Sequence, residues 1–105
     1  DEMNVQSLKT VGLTSLMEPM LGMEKVGTYV YRGEDLFYDQ IIVSEGLKDK
    51  KGLGFDSESV MILDLPKYRQ QEGDYAHYPF RFWAGNSLLG GYSDHLAVRV
   101  TIIKI

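Results

Sequence analysis

Residues 27 to 44 read GTYVYRGEDLFYDQIIVS, and the folding of this stretch decides how the rest of the chain is read. Thr28-Tyr29-Val30-Tyr31 is β-branched and aromatic, Arg32-Gly33-Glu34-Asp35 has turn composition, and Leu36 through Ser44 is a second β-rich run. The pattern predicts an antiparallel hairpin with a four-residue connection. In the second strand Phe37, Asp39, Ile41 and Val43 share one face, and Tyr38, Gln40 and Ile42 share the other. Asp39 is thereby aligned with apolar side chains. A carboxylate in that position is costly unless it meets a hydrogen-bond donor or a metal. The competing reading makes it the solvent end of an edge strand.

Working outward, residues 90 to 100 read GGYSDHLAVRV and place Ser93-Asp94-His95 between a glycine-rich turn and an alternating run. Leu96, Val98, Val100 and Ile102 line one face of that run, against Ala97, Arg99, Thr101 and Ile103, the signature of a half-buried strand. Ser and Asp at the mouth of a strand ordinarily bond nearby backbone. His95, one of two histidines, is also a candidate partner for a buried Asp39.

Ser59 to Leu65 predicts a third strand that stops at Pro66. Residues 45 to 56, EGLKDKKGLGFD, read as a loop with room for a helical turn, and Gly52-x-Gly54 is a turn rather than a phosphate cradle. From Lys67 to Gly91 the periodicity is lost and aromatics accumulate, as in a functional loop or an insert. His77, within it, is assigned to surface or packing. Near the N-terminus the stripe Leu13, Leu16, Met17 and Met20 predicts a second short helix after one broken at Gly12, with Pro19 ending or bending it. Met17, Met20 and Met23 are read as core filler.

Composition bounds the chemistry. The 105 residues suffice for one domain, 44% are hydrophobic, and the net charge is −4. An acidic surface repels phosphate backbones, so phosphoester chemistry needs a local cation. With no cysteine there is neither a disulfide framework nor a thiolate zinc site, and oxygen ligands suit magnesium or calcium better. No apolar run reaches the roughly 20 residues of a membrane span, and the acidic start is unlike a signal peptide.

GTYVYRGEDLFYDQIIVS together with YPFRFWAGNSLLGGYSDHLAVRV (residues 78 to 100) resembles the C-terminal part of the endonuclease/exonuclease/phosphatase superfamily of metal-dependent phosphoesterases. Two elements carry the likeness: Asp39-Gln40-Ile41-Ile42-Val43-Ser44, and Ser93-Asp94-His95 opening the last strand. The flanking segments are similar to a bacterial subset, in which an exported or periplasmic parent enzyme is expected. The resemblance implies that His95 contacts the scissile phosphate, that Asp39 hydrogen-bonds His95, and that Asp94 stands near the metal as ligand or neighbour. Tyr31, Arg32 and Ser93 are expected on the substrate side. Ala97 stands where the family often has proline.

The family domain is a two-sheet sandwich flanked by helices, longer than this chain. It binds magnesium (or manganese) through an early glutamate and uses a central Asp-x-Asn motif. DEMNVQSLKT resembles the segment just after that motif, so the chain is expected to be the C-terminal half-domain of a phosphoesterase, inactive or nearly so alone and binding no metal by itself. The expected architecture is α+β, an antiparallel sheet with N-terminal helices packed on one face, half of a four-layer α/β sandwich. Its partners would be a phosphoester substrate, the N-terminal half of the domain, and a second copy meeting it through the exposed sheet face. The alternative is a small non-enzymatic binding module using the aromatic loop 75–83, with Phe80-Arg81-Phe82-Trp83 as anchor.

Overall fold

A computed structural model of the chain describes residues 2–49 and 51–105. Asp1 of the N-terminal decapeptide and Lys50 of the 45–56 loop lie outside the described residues. The elements in chain order are α1 (Glu2–Lys9), β1 (Leu13–Ser15), β2 (Tyr29–Tyr31), β3 (Glu34–Leu36), β4 (Ile42–Ser44), β5 (Leu53–Ile62), β6 (Trp83–Ala84), β7 (Ser87–Leu88) and β8 (Val98–Lys104). Among the described residues the strands form four two-stranded antiparallel sheets, β1–β4, β2–β3, β5–β8 and β6–β7. The protein is thus α+β and sheet-rich. A single continuous sheet under two N-terminal helices is not what forms.

The hairpin at 27 to 44 is tighter than its composition predicts. Arg32 and Gly33 alone make the turn, with φ of 49° and 82°, the pair of positive values that a two-residue type I′ connection requires. Glu34 and Asp35 therefore belong to β3, with Tyr31 opposite Glu34 and Val30 opposite Asp35. The long second strand also divides. After Leu36 the chain leaves the hairpin, and only Ile42–Ser44 regains a partner, which is β1.

That pairing explains why the predicted second helix is absent. Leu13, Thr14 and Ser15 lie opposite Ser44, Val43 and Ile42, and Leu16 N–H continues the ladder to Ile41 C=O at 2.8 Å. The strand satisfies backbone groups that a helix would have satisfied internally. Burial follows the predicted stripe all the same: Leu16 and Met17 are buried. Pro19 sits in a 3₁₀ turn, Glu18–Met20. Met17 is core, but Met23 is exposed and is not core filler.

β5 starts earlier than predicted and pairs with β8 from Leu53 opposite Lys104 to Ile62 opposite Val98, with a register shift between Asp56 and Met61. Gly54 lies within this ladder, opposite Ile103. Ser59 closes the irregularity: its hydroxyl accepts Thr101 N–H at 2.7 Å and donates to Asp56 C=O at 2.6 Å. The irregular stretch contains β6 and β7 around a Gly85-Asn86 turn. Its aromatics divide: Tyr68 and Phe80 pack edge-on against Tyr92, while Phe82 and Trp83 are exposed.

The chain exposes 7441 Å², against about 6,000 Å² for a folded monomer of its 11.9 kDa mass. Its radius of gyration is 16.0 Å, where about 13 Å is usual for this length. Exposed apolar side chains on the β5–β8 ribbon include Leu53, Ile102, Ile103 and the adjoining Ile105. No helix among the described residues is long and apolar enough to cross a membrane.

Candidate functional site

The break after β3 is where the site forms. Residues 37 to 40 have no strand partner, and the segment is held by side chains instead. The hydroxyl of Thr28, a fully buried residue, accepts the N–H groups of Tyr38 and Asp39 at 3.2 Å each. Gln40 donates its amide to Phe37 C=O at 3.2 Å and accepts the Ser15 hydroxyl through Oε1.

A second segment delivers the histidine. Phe80 C=O accepts Tyr92 N–H at 2.6 Å and Ser93 N–H at 3.2 Å, and Arg81 C=O accepts Gly91 N–H at 3.1 Å. The two backbones are so close that a Cβ on Gly91 would lie 2.1 Å from the Phe80 oxygen, so only glycine fits. Ser93 then folds back, its hydroxyl accepting His95 N–H at 3.1 Å. Leu96 N–H donates to Thr28 C=O at 2.8 Å, which fixes the next residue along against the hairpin.

The two segments meet at one bond. His95 Nδ1 lies 2.6 Å from Asp39 Oδ2, across 56 residues of sequence. Asp39 therefore does have a polar partner. The side chains retain 35% and 36% of their exposure. A pair this open contributes about 0.5 kcal/mol to stability at most sites, so its consequence is orientation. A carboxylate on Nδ1 sets the ring's tautomer and leaves Nε2 free for another partner.

The imidazole is also held by rings. Tyr29 lies 4.8 Å from His95 between centroids and stacks on Tyr38 at 5.0 Å, with Tyr38 6.3 Å from His95. On its other flank His95 lines a cleft of about 220 Å³ with Leu63, Tyr68, Tyr92 and Ser93.

Of the sequence candidates, Asp39, His95 and Ser93 come together. Asp94 is exposed beside them. Among the described residues no group of three or more His, Cys, Asp or Glu stands close enough to hold a metal ion, so the residues present do not by themselves fit a magnesium site. Tyr31 and Arg32 sit at the hairpin turn and engage each other, the guanidinium 5.2 Å from the ring centroid. The tyrosine that reaches His95 is Tyr29, two residues earlier on the same strand face. Sequence reading passed over both it and Thr28, although strand alternation puts Tyr29 beside any residue that Tyr31 was expected to serve.

A family model described as "Endonuclease/Exonuclease/phosphatase family" matches residues 2–104. No curated protein and no solved structure matches the chain.

Proposed function

The chain belongs to the endonuclease/exonuclease/phosphatase family, and on that premise we propose that it carries the phosphate-contacting side of a phosphoester hydrolase site. The observation that supports this reading is the Asp39–His95 hydrogen bond of 2.6 Å beside an open cleft. His95 touches the phosphate through Nε2 and Asp39 holds the ring.

In phosphoester hydrolysis water adds to phosphorus, the bond to the leaving alcohol oxygen breaks, and negative charge builds on the nonbridging oxygens. With Nδ1–H given to Asp39, Nε2 donates in the imidazolium form, and its hydrogen bond to one of those oxygens is electrostatic stabilisation of the kind that dominates such sites. Ser93 lies on the same wall of the cleft and offers a hydroxyl on the substrate side, with Tyr31 and Arg32 further out on the hairpin. Magnesium or manganese, when bound, supplies charge neutralisation and activation of water. Asp94 is a carboxylate of the right kind for such an ion, and the further ligands that a complete site would need would have to come from outside the described residues.

The chain is the half-domain that presents this pair. An excess surface of about 1,400 Å² is more than the roughly 800 Å² that one partner buries in a stable interface. It supports a second sheet closing over the β5–β8 ribbon to complete a sandwich. Without that sheet two copies of the chain meet through the same face, and the chain alone hydrolyses phosphoesters slowly or not at all.

The test is the side-chain nitrogen spectrum of His95 as inorganic phosphate is added. The expected result is an Nδ1–H in a hydrogen bond and an Nε2 resonance that moves with phosphate, with the apparent affinity weakened about tenfold or more by Asp39→Asn. A wild-type His95 that ignores phosphate sinks the hydrolase reading. Rapid hydrolysis of a phosphodiester by the chain with magnesium would instead sink the half-site.

A second reading, a binding module using loop 75–83, draws on the exposure of Phe82 and Trp83 at the β6–β7 hairpin. Such a module has no use for the Asp39–His95 bond, which is why the hydrolase reading stands first.

A further inference from the structure

We propose that Thr28 is the positioning residue that sets Asp39 against His95. The inference rests on the phosphoesterase reading of the site and concerns a residue that touches neither phosphate nor the leaving group.

Thr28 is fully buried, yet every polar group it has is in use. Its N–H donates to Leu36 C=O at 2.8 Å, the last rung of the β2–β3 hairpin. Its hydroxyl accepts Tyr38 and Asp39 N–H, each at 3.2 Å. Its carbonyl accepts Leu96 N–H at 2.8 Å. The acid and the imidazole come from segments 56 residues apart, and both are indexed to this one residue, through the side chain on one side and the main chain on the other. Between the Leu36 rung and the Ile41 carbonyl that accepts Leu16 N–H, the segment bearing Asp39 has no strand ladder. The Thr28 hydroxyl is the acceptor for two successive N–H groups there, one of them Asp39's own.

Threonine is suited to this duty by both branches of its side chain. The hydroxyl accepts, and the methyl with the stiff χ1 of a β-branched residue holds that oxygen in one place. Valine would fill nearly the same volume but leave the two N–H groups without an acceptor, and buried donors without partners drive a local rearrangement. An error of about 1 Å in a group that must meet a reacting centre costs on the order of a hundredfold. The Thr28 hydroxyl thus controls the Asp39–His95 bond without belonging to it.

The experiment compares wild type, Thr28→Val and Thr28→Ser by three readouts: the His95 side-chain nitrogen spectrum, the shift of Nε2 with inorganic phosphate, and exchange of the Tyr38, Asp39 and Leu96 amides. In the wild type those three amides are expected to exchange slowly, and free exchange at Tyr38 and Asp39 would overturn the proposal with no variant needed. Thr28→Val is expected to lose the hydrogen-bonded Nδ1–H signature and weaken phosphate binding about tenfold or more. Thr28→Ser, which keeps the hydroxyl, is expected to retain both. If serine fails as badly as valine while the amide spectrum stays native, packing of the methyl is what counts and the proposal is wrong. If valine leaves His95 and phosphate binding intact it is equally wrong. Absence of the Nδ1–H signature in the wild type is a different failure, since it removes the site reading itself and Thr28's role with it.

Discussion

The crossing at Thr28 and the β5–β8 ribbon are built on opposite terms. At the crossing, short backbone segments with little ladder of their own are tied by polar side chains, and the acid and imidazole meet at 2.6 Å. The ribbon has the longest strands of the chain, paired from Leu53 opposite Lys104 to Ile62 opposite Val98 with one register shift, yet Ile102, Ile103 and Ile105 face solvent. Preorganisation of a site and burial of a core are therefore separable here. The Asp39–His95 crossing is tied by local hydrogen bonds, while apolar side chains of the ribbon are uncovered. Stability of order 0.1 kcal/mol per residue is usual for a closed domain, and a chain with so few buried apolar side chains is expected to fall below it.

The substitution expected to damage the crossing most is Gly91→Ala. Its Cβ would meet Phe80 backbone at 2.1 Å, and neither segment of that contact can move without disturbing the bonds that lead into Ser93 and His95. Overpacking against backbone costs about 3 kcal/mol, enough to depopulate the native state of a marginal chain. Urea unfolding should show it. Gly85→Ala is the control, since its Cβ has open space and only φ of 59° to contend with, at about 1 kcal/mol. Equal losses at the two positions would mean that the Gly91 contact does not bear on the fold.

Tyr29→Leu should have a smaller effect on stability and a clearer one on the site. It removes a ring 5.0 Å from Tyr38 and 4.8 Å from His95, worth about 1 kcal/mol for each aromatic pair beyond burial. The His95 ring protons should lose their ring-current shifts, and the Asp39 bond should persist, because Thr28 rather than Tyr29 fixes that register. Loss of the Nδ1–H signature in Tyr29→Leu would transfer the positioning role to the aromatic stack.

How much of this was legible depends on which force decides each segment. The alternation of residues 98 to 102 marks a strand correctly, because one period and one partner decide it. In the stripe Leu13, Leu16, Met17 and Met20 the middle two are buried and the outer two half-buried, but a short apolar run does not distinguish a helix from a strand. The decisive fact there, that Ile42–Ser44 is a free partner, is not local. Asp39 was legible as a polar intruder in line with Phe37, Ile41 and Val43, but the gap in the strand pairing there, bridged by the Thr28 hydroxyl, was not. The pairing with His95 followed from resemblance to a family motif, since periodicity relates no two residues 56 apart. The β6–β7 hairpin had a visible signal in Gly85-Asn86, obscured by the aromatics around it.

Ile102→Lys should change stability least and association most. In the isolated chain Ile102 is 48% exposed, so lysine, whose stem can lie along the ribbon, should shift unfolding by no more than about 0.5 kcal/mol. If a second copy covers the ribbon, light scattering on the wild type should show a dimer that grows with concentration, and the lysine variant should remain monomeric, since an interface cannot easily desolvate an unpaired ammonium. The crossing should not notice: His95 should keep its Nδ1–H bond and its response to phosphate in the monomer. That result would establish the separation of site from core by changing one and leaving the other. A lysine variant that stays monomeric but loses the His95 signature would show that the half-site depends on the covered ribbon, and the contrast between the two regions would collapse into a single cooperative unit.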